Sequence, residues 1–278
     1  MSVSGGKHLA LVSGKEIGCE AIQVFIRNVR SWSSKPLEQQ DINDFLEKKK
    51  EIKEIWPIIT HNSYLINLAS QDQEILEKSY NAMLDELTKA EQLKIDYENM
   101  HPGVIPKENE ELSSKEAMNH ITDQLNKLIT ATKDSKVIIL LETTAGQGKG
   151  LGHKFEHMKY MIDRIENKQR IGVCFDTAHS FAAGYDFTTK KKYDDLWNAF
   201  DDIIGLKYLK AFHLNDTDKD YGSRVDRHAH IGKGKIGKEA FSFLVNDEQF
   251  KDIPGILETP EGDKMFEKNL NFLKGLRK

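Results

Sequence analysis

Short apolar runs alternate with longer stretches of helical period along most of the chain. The runs at 21–26, 56–60, 95–100, 137–141, 171–175, 208–212 and 254–257 are rich in Ile, Val, Leu, Phe and Tyr, and their length and bounding polar residues predict seven strands. Between them, 42–55, 73–92, 114–132 and 155–165 repeat apolar residues every third or fourth position, which predicts amphipathic helices. Alternating strands and helices imply parallel strands joined by crossover helices. Six runs are followed directly by a residue of metal-ligating type: His61, His101, Glu142, Asp176, His213 and Glu258, 34 to 45 residues apart. An open doubly wound sheet would spread these along an edge, whereas a barrel opens all strand C-termini on one mouth and would gather them. The expected fold class is therefore α/β, a TIM (β/α)8 barrel. Seven strands are one short of closure, and only residues 1–4 precede a first helical stretch at about 7–17, so the first strand is expected to be missing or vestigial.

Composition narrows the picture. A length of 278 residues suits one α/β barrel, and without a linker, low-complexity segment or abrupt composition shift a single domain over 1–278 is expected. Charged residues make up 30% and apolar residues 38%, as for helices with solvated outer faces; no run approaches the roughly 20 apolar residues of a membrane span. The segment Met1-Ser2-Val3-Ser4-Gly5-Gly6 lacks the basic and apolar regions of a secretory leader, so the expected location is intracellular, cytoplasmic if the source is prokaryotic. Cys19 and Cys174 sit among apolar neighbours and are expected to be buried thiols. A formal net charge of −4 argues against holding nucleic acid by bulk positive charge, so a DNA substrate would need local basic loops and bound metal.

Ten histidines are the departure that points to chemistry, because imidazole is the commonest transition-metal ligand. Beside the strand ends stand three more candidates: His179, three residues after Asp176, and the pair Asp226 and His228. Five His, two Asp and two Glu are too many for one ion, and closely spaced metals are the usual device for stabilising the attacking and leaving oxygens of a phosphodiester. His120, His153, His157 and His230 are expected to be hydrogen-bonded loop anchors, and His8 has no assigned role. Lys190-Lys191-Lys192 is expected to be a solvated helix start.

In order and spacing, several segments resemble the signatures of the endonuclease IV family. They are His61-Asn62-Ser63-Tyr64-Leu65-Ile66-Asn67-Leu68, His101-Pro102-Gly103, Glu142-Thr143-Thr144-Ala145-Gly146, Gly172-Val173-Cys174-Phe175-Asp176-Thr177-Ala178-His179, Phe181-Ala182-Ala183-Gly184-Tyr185-Asp186, His213-Leu214-Asn215-Asp216 and Gly222-Ser223-Arg224-Val225-Asp226-Arg227-His228. The resemblance covers nearly all of the chain from Gly5 onward. It implies a TIM barrel with a three-zinc cluster, one position open to manganese. His61, His101 and Glu142 would hold one zinc; Glu142 would bridge to a second, held also by Asp176, His213 and Glu258; His179, Asp226 and His228 would hold the third. The implied reaction is hydrolysis 5′ to abasic sites in double-stranded DNA, leaving a 3′-hydroxyl and a 5′-deoxyribose phosphate, with Glu142 and Glu258 as the catalytic carboxylates and the chain acting as a monomer. Arg30 and Tyr64 match the residues that fill the vacated base position. The chain departs from the family pattern in its abbreviated start, in Thr143 where Asn is usual, and in Ala178 where Cys is usual; none of these removes a ligand. A sugar isomerase of the same superfamily and a lesion-binding protein without catalysis are the alternatives, separable by metal content and by nicking of abasic duplex.

Overall fold

The computed structural model describes residues 1–106 and 111–278. It contains seven strands in sequence order, and the pairings described below are all parallel, as the alternation requires. Two compact units divide the chain: Met1–Leu141 with Tyr160–Gly172, and Glu142–Lys159 with Val173–Lys278.

In the first unit β1 (Ile22–Val24) pairs with β2 (Ile58–His61), β2 with β3 (Tyr97–Met100), and β3 with β4 (Ile138–Glu142). Ile58, Ile59, Ile139, Leu140 and Leu141 are wholly buried, as strands covered on both faces demand. The helices α1 (Leu9–Glu16), α2 (Gln39–Glu51), α3 (Gln73–Gln92) and α4 (Ser114–Ala131) alternate with these strands. Asp72 starts α3 by accepting the amides of Glu74 and Ile75, and Ser113 with Glu116 forms a reciprocal capping box on α4. Met83, Leu87 and Ala90 of α3, and Ile121, Leu125 and Leu128 of α4, form the buried stripes that the period predicts. α2 departs from the expected 42–55: Ile52 and Ile55 lie outside it and turn into the core, ahead of a Trp56–Pro57 pair that disfavours helix.

α5 (Phe155–Arg164) begins in the second unit and ends in the first. In the second unit β5 (Ile171–Asp176) pairs with β6 (Leu209–His213), setting Asp176 opposite His213, and β6 with β7 (Gly255–Ile256). α6 (Thr177–Ala183), α7 (Lys190–Ile203), α8 (Gly237–Val245) and α9 (Asp263–Lys274) complete it. Its core is aromatic: Trp197 lies 4.9 Å from Phe175 and 4.5 Å from Phe250, and Phe155 lies 5.2 Å from Phe200. Each such ring, fully buried, contributes about 1.5–3 kcal/mol.

No strand precedes β1 among the described residues, as expected; the Met1 amino group donates to the Gln23 carbonyl on β1 at 2.6 Å. Cys174 is buried, Cys19 is only half-buried, and neither forms a disulfide. No described helix is long and apolar enough to cross a membrane.

Candidate metal centre

Four strands end on a polar residue of ligating type, and two more are followed within two residues by one. His61, Glu142, Asp176 and His213 each end a strand, His101 follows β3 directly, and Glu258 stands two residues past β7. In the second unit, Glu142, Asp176, His213 and Glu258 each offer a ligand atom, and the four atoms lie within 4.8 Å of one another. His213 Nδ1 is 3.2 Å from Glu142 Oε1, 3.2 Å from Glu258 Oε2 and 3.7 Å from Asp176 Oδ2. Glu142, Asp176 and His213 are fully buried.

A second group shares Asp176 and adds His179 and His228. Asp176 Oδ1 accepts the His179 amide at 2.7 Å and so caps α6, which puts the two side chains on one end of that helix. His179 Nε2 lies 3.2 Å from Asp226 Oδ1 and 3.3 Å from His228 Nε2. His179 Nδ1 lies 3.0 Å from the Thr143 carbonyl, and His228 Nδ1 lies 3.1 Å from the Glu258 carbonyl. A carbonyl only accepts, so both Nδ1 atoms carry hydrogen and, in the neutral rings, both Nε2 lone pairs point into one small volume beside a carboxylate. Such a donor set could hold a cation, with the tautomer of each ring fixed by a backbone carbonyl as metal-ligating histidines commonly are.

Electrostatics agree. Burial draws the His179 imidazole down, but the charge of Asp176 and the hydrogen bonds to Asp226 and Glu142 outweigh it and hold it well above its ordinary value. His213 is likewise raised, against burial, by Cys174, Glu258 and Glu142. A field of carboxylates that favours an imidazolium favours a divalent ion equally, and the mixed N and O donors suit zinc or manganese.

In the first unit His61 and His101 sit with rings 5.4 Å apart and nearly perpendicular. His61 Nδ1 is 2.9 Å from the Asn62 carbonyl, which again turns Nε2 into the lone-pair atom. Tyr64, 63% exposed, stands with its ring 5.5 Å from that of His61 and 6.3 Å from that of His101. Arg30 is exposed on the loop after β1.

Sequence reasoning assigned no role to the residues that aim these ligands. Asn215 donates to Asp176 Oδ2 at 2.8 Å and accepts the Glu258 amide at 2.8 Å, aligning two carboxylates at once. Thr143 Oγ1 accepts the Asp176 amide at 2.9 Å. Their only signal was their place inside the quoted segments. Of the other histidines, His120, His153 and His230 are hydrogen-bonded to Gln71, the Gly150 carbonyl and Asn269. His157 is different: its Nδ1 is buried without a hydrogen bond, its ring packs 4.8 Å from His153, and burial pushes it down to about 4. Lys191 and Lys192 pair at the surface with Asp195 and Asp186, each at 2.6 Å, as a solvated helix start should.

Strand ends bearing clustered imidazoles and carboxylates define a class, and residues 13–276 match its family model, the xylose isomerase-like TIM barrel. Within that class the chain is 44% identical to the "Probable endonuclease 4" of Chloroflexus aggregans over 271 residues, 98% of this chain and 93% of that one. It is 42% identical over 263 residues to the "Apurinic-apyrimidinic endonuclease" of Caenorhabditis elegans, covering 94% of this chain and 65% of the relative. The crystal structure of endonuclease IV from Thermus thermophilus matches with a TM-score of 0.86 at 30% identity, covering 99% of this chain and 96% of that one. The chain belongs to the endonuclease IV family.

Proposed function

We propose that this protein is a zinc-dependent DNA repair endonuclease that hydrolyses the phosphodiester bond 5′ to abasic sites in double-stranded DNA, as a monomer in base excision repair. The observation that carries the reading is the convergence of His179 Nε2, His228 Nε2 and Asp226 Oδ1 next to the buried Glu142, Asp176, His213 and Glu258 group. By the family resemblance, His61, His101 and Glu142 would hold one zinc, Glu142 would serve a second together with Asp176, His213 and Glu258, and His179, Asp226 and His228 would hold a third. Zinc in such a site lowers the pKa of water to about 7 and offsets charge developing on a phosphoryl group.

The chain's own residues do the rest. Thr143 and Asn215 hold Asp176 at its amide and its Oδ2, and backbone carbonyls fix the imidazole tautomers, so the ligand atoms need little rearrangement to act. Glu142 and Glu258 are the carboxylates proposed for catalysis. Arg30 and Tyr64, both exposed, are proposed to fill the space of the missing base, the abasic sugar being turned out of the helix most easily because nothing there is paired or stacked.

The test is a 5′-labelled duplex with one abasic site, incubated with zinc-loaded protein and with protein treated with a chelator. A nick 5′ to the lesion, leaving a 3′-hydroxyl and a 5′-deoxyribose phosphate, is expected only with metal present. Intact abasic DNA at high enzyme concentration, or aldose isomerisation by the same preparation, would overturn the proposal.

A further inference from the structure

Next in sequence to the exposed Arg30 and Tyr64 stands a buried polar network built on Arg27, Glu86 and Ser63. Arg27, with a side chain 2% exposed, directs Nη2 to the carbonyls of Ser31 at 3.0 Å and Trp32 at 2.8 Å, and Nη1 to the Ala82 carbonyl on α3 at 3.1 Å. Its Nε lies 3.5 Å from Glu86 Oε1, on the same helix. That carboxylate oxygen accepts the Ser63 amide at 3.1 Å. Ser63 Oγ donates to the Val29 carbonyl at 2.8 Å and accepts the Leu65 amide at 3.3 Å.

The loop after β1 is thus held at Val29 on one side of Arg30 and at Ser31 and Trp32 on the other. Tyr64 is bracketed in the same way, between Ser63 and a Leu65 amide bound to the Ser63 hydroxyl. One hydroxyl links the two loops. Surface side chains that must enter a duplex gain affinity when their backbones are fixed beforehand, because less freedom is lost on binding.

We propose that Ser63, backed by Glu86 and Arg27, is a positioning residue that holds the Arg30 and Tyr64 loops in one register for DNA recognition. The inference rests on the reading above that these two side chains meet the lesion. Ser63 touches neither substrate nor reacting atoms in it; it acts through its neighbours.

The experiment measures kcat and KM for nicking of abasic duplex by zinc-loaded wild type, Ser63→Ala and Ser63→Thr, with metal content determined for each. Ser63→Ala is expected to raise KM about tenfold, the loss of roughly one hydrogen bond, with kcat and metal content nearly unchanged. Ser63→Thr keeps the hydroxyl and should restore KM. In an Arg30→Ala, Tyr64→Ala background Ser63→Ala should change KM no further, since nothing remains for it to position. Arg27→Lys, which keeps the cation but not the two-carbonyl fork, gives a second reading should Ser63→Ala fold poorly, and is expected to raise KM in the same way. An unchanged KM in both variants, or an equal KM effect with and without Arg30 and Tyr64, would overturn the inference. Wild-type protein that leaves abasic duplex uncut would instead overturn the functional reading itself.

Discussion

Asp216 is fully buried, and its carboxylate accepts the amides of Thr217, Gly234 and Ile236 at 2.8, 3.0 and 3.0 Å. It thereby closes the loop that carries Asp226 and His228, which also pairs back through an Asp216–Ala229 bridge. A Cβ on Gly234 would lie 2.3 Å from the Thr217 carbonyl oxygen and 2.4 Å from Asp216 Oδ1, where backbone cannot easily give way. Gly234→Ala is therefore expected to cost about 2–4 kcal/mol in urea unfolding. It should also lower metal content, because the loop that presents two ligands shifts; an unchanged urea midpoint would show that the loop absorbs the methyl. At Glu258 the expectation is opposite in kind. Its Oε2 faces His213 Nδ1 at 3.2 Å, and Glu258→Gln keeps the shape while removing the charge. Nicking should fall by about 10²-fold or more with abasic DNA binding retained, and near-normal turnover would mean that Glu258 is not a catalytic carboxylate.

At the scale of elements, α3 and β3 meet through two buried acids. Burial pushes the Glu86 carboxyl up to about 7, against hydrogen bonds from Glu98 and Ser63 and the nearby charges of Arg27 and His61. Burial, reinforced by the Glu86 charge, holds Glu98 well above the carboxylate range. Below the unfolded value of 4.5 the Glu86 proton is bound in both states and its contribution to stability is fully present. As pH rises towards 7 the unfolded chain releases that proton first, so stability falls across this window by on the order of 3 kcal/mol and then levels. Urea midpoints between pH 5 and 8 should show the decline in the wild type and a flatter profile in Glu86→Gln, which still accepts the Ser63 amide. Parallel profiles would assign the slope to other groups. The elements themselves were legible: all seven strands and α1, α2, α3, α4 and α5 fall on the runs and periods read from sequence. The end of α2 was not, because Ile52 and Ile55 continue the apolar period while packing from outside the helix.

For the whole molecule, 44 acids against 40 bases leave no bulk positive charge to hold DNA, so in the proposed reading local basic loops and metal, when bound, would supply the attraction. Close to three zinc-type ions per chain are expected by elemental analysis, given nine candidate ligands at or beside strand ends. Ions that bind only the folded state stabilise it, by about 2.7 kcal/mol at a hundredfold excess over Kd. Chelation should then abolish nicking and lower Tm by roughly 5–10 °C, both restored by zinc. One ion or fewer with full activity, or a Tm indifferent to chelator, would sink the cluster.

The chain by itself determined its strands, the polar residue at or just past the end of six of them, and the family signatures, because these are local: a run of apolar residues fixes a strand, and its length fixes where the next side chain stands. What ties those residues into a site is not local. Nothing in the spacing reveals that Asn215 bridges Asp176 and Glu258, that Thr143 holds Asp176, that Asp216 closes the His228 loop, or that Ser63 joins two loops above Glu86. Each of these is a hydrogen bond between groups 18 to 43 residues apart. Only the folded chain brings such partners within about 3 Å, and it does so because a buried donor or acceptor left without one would be costly.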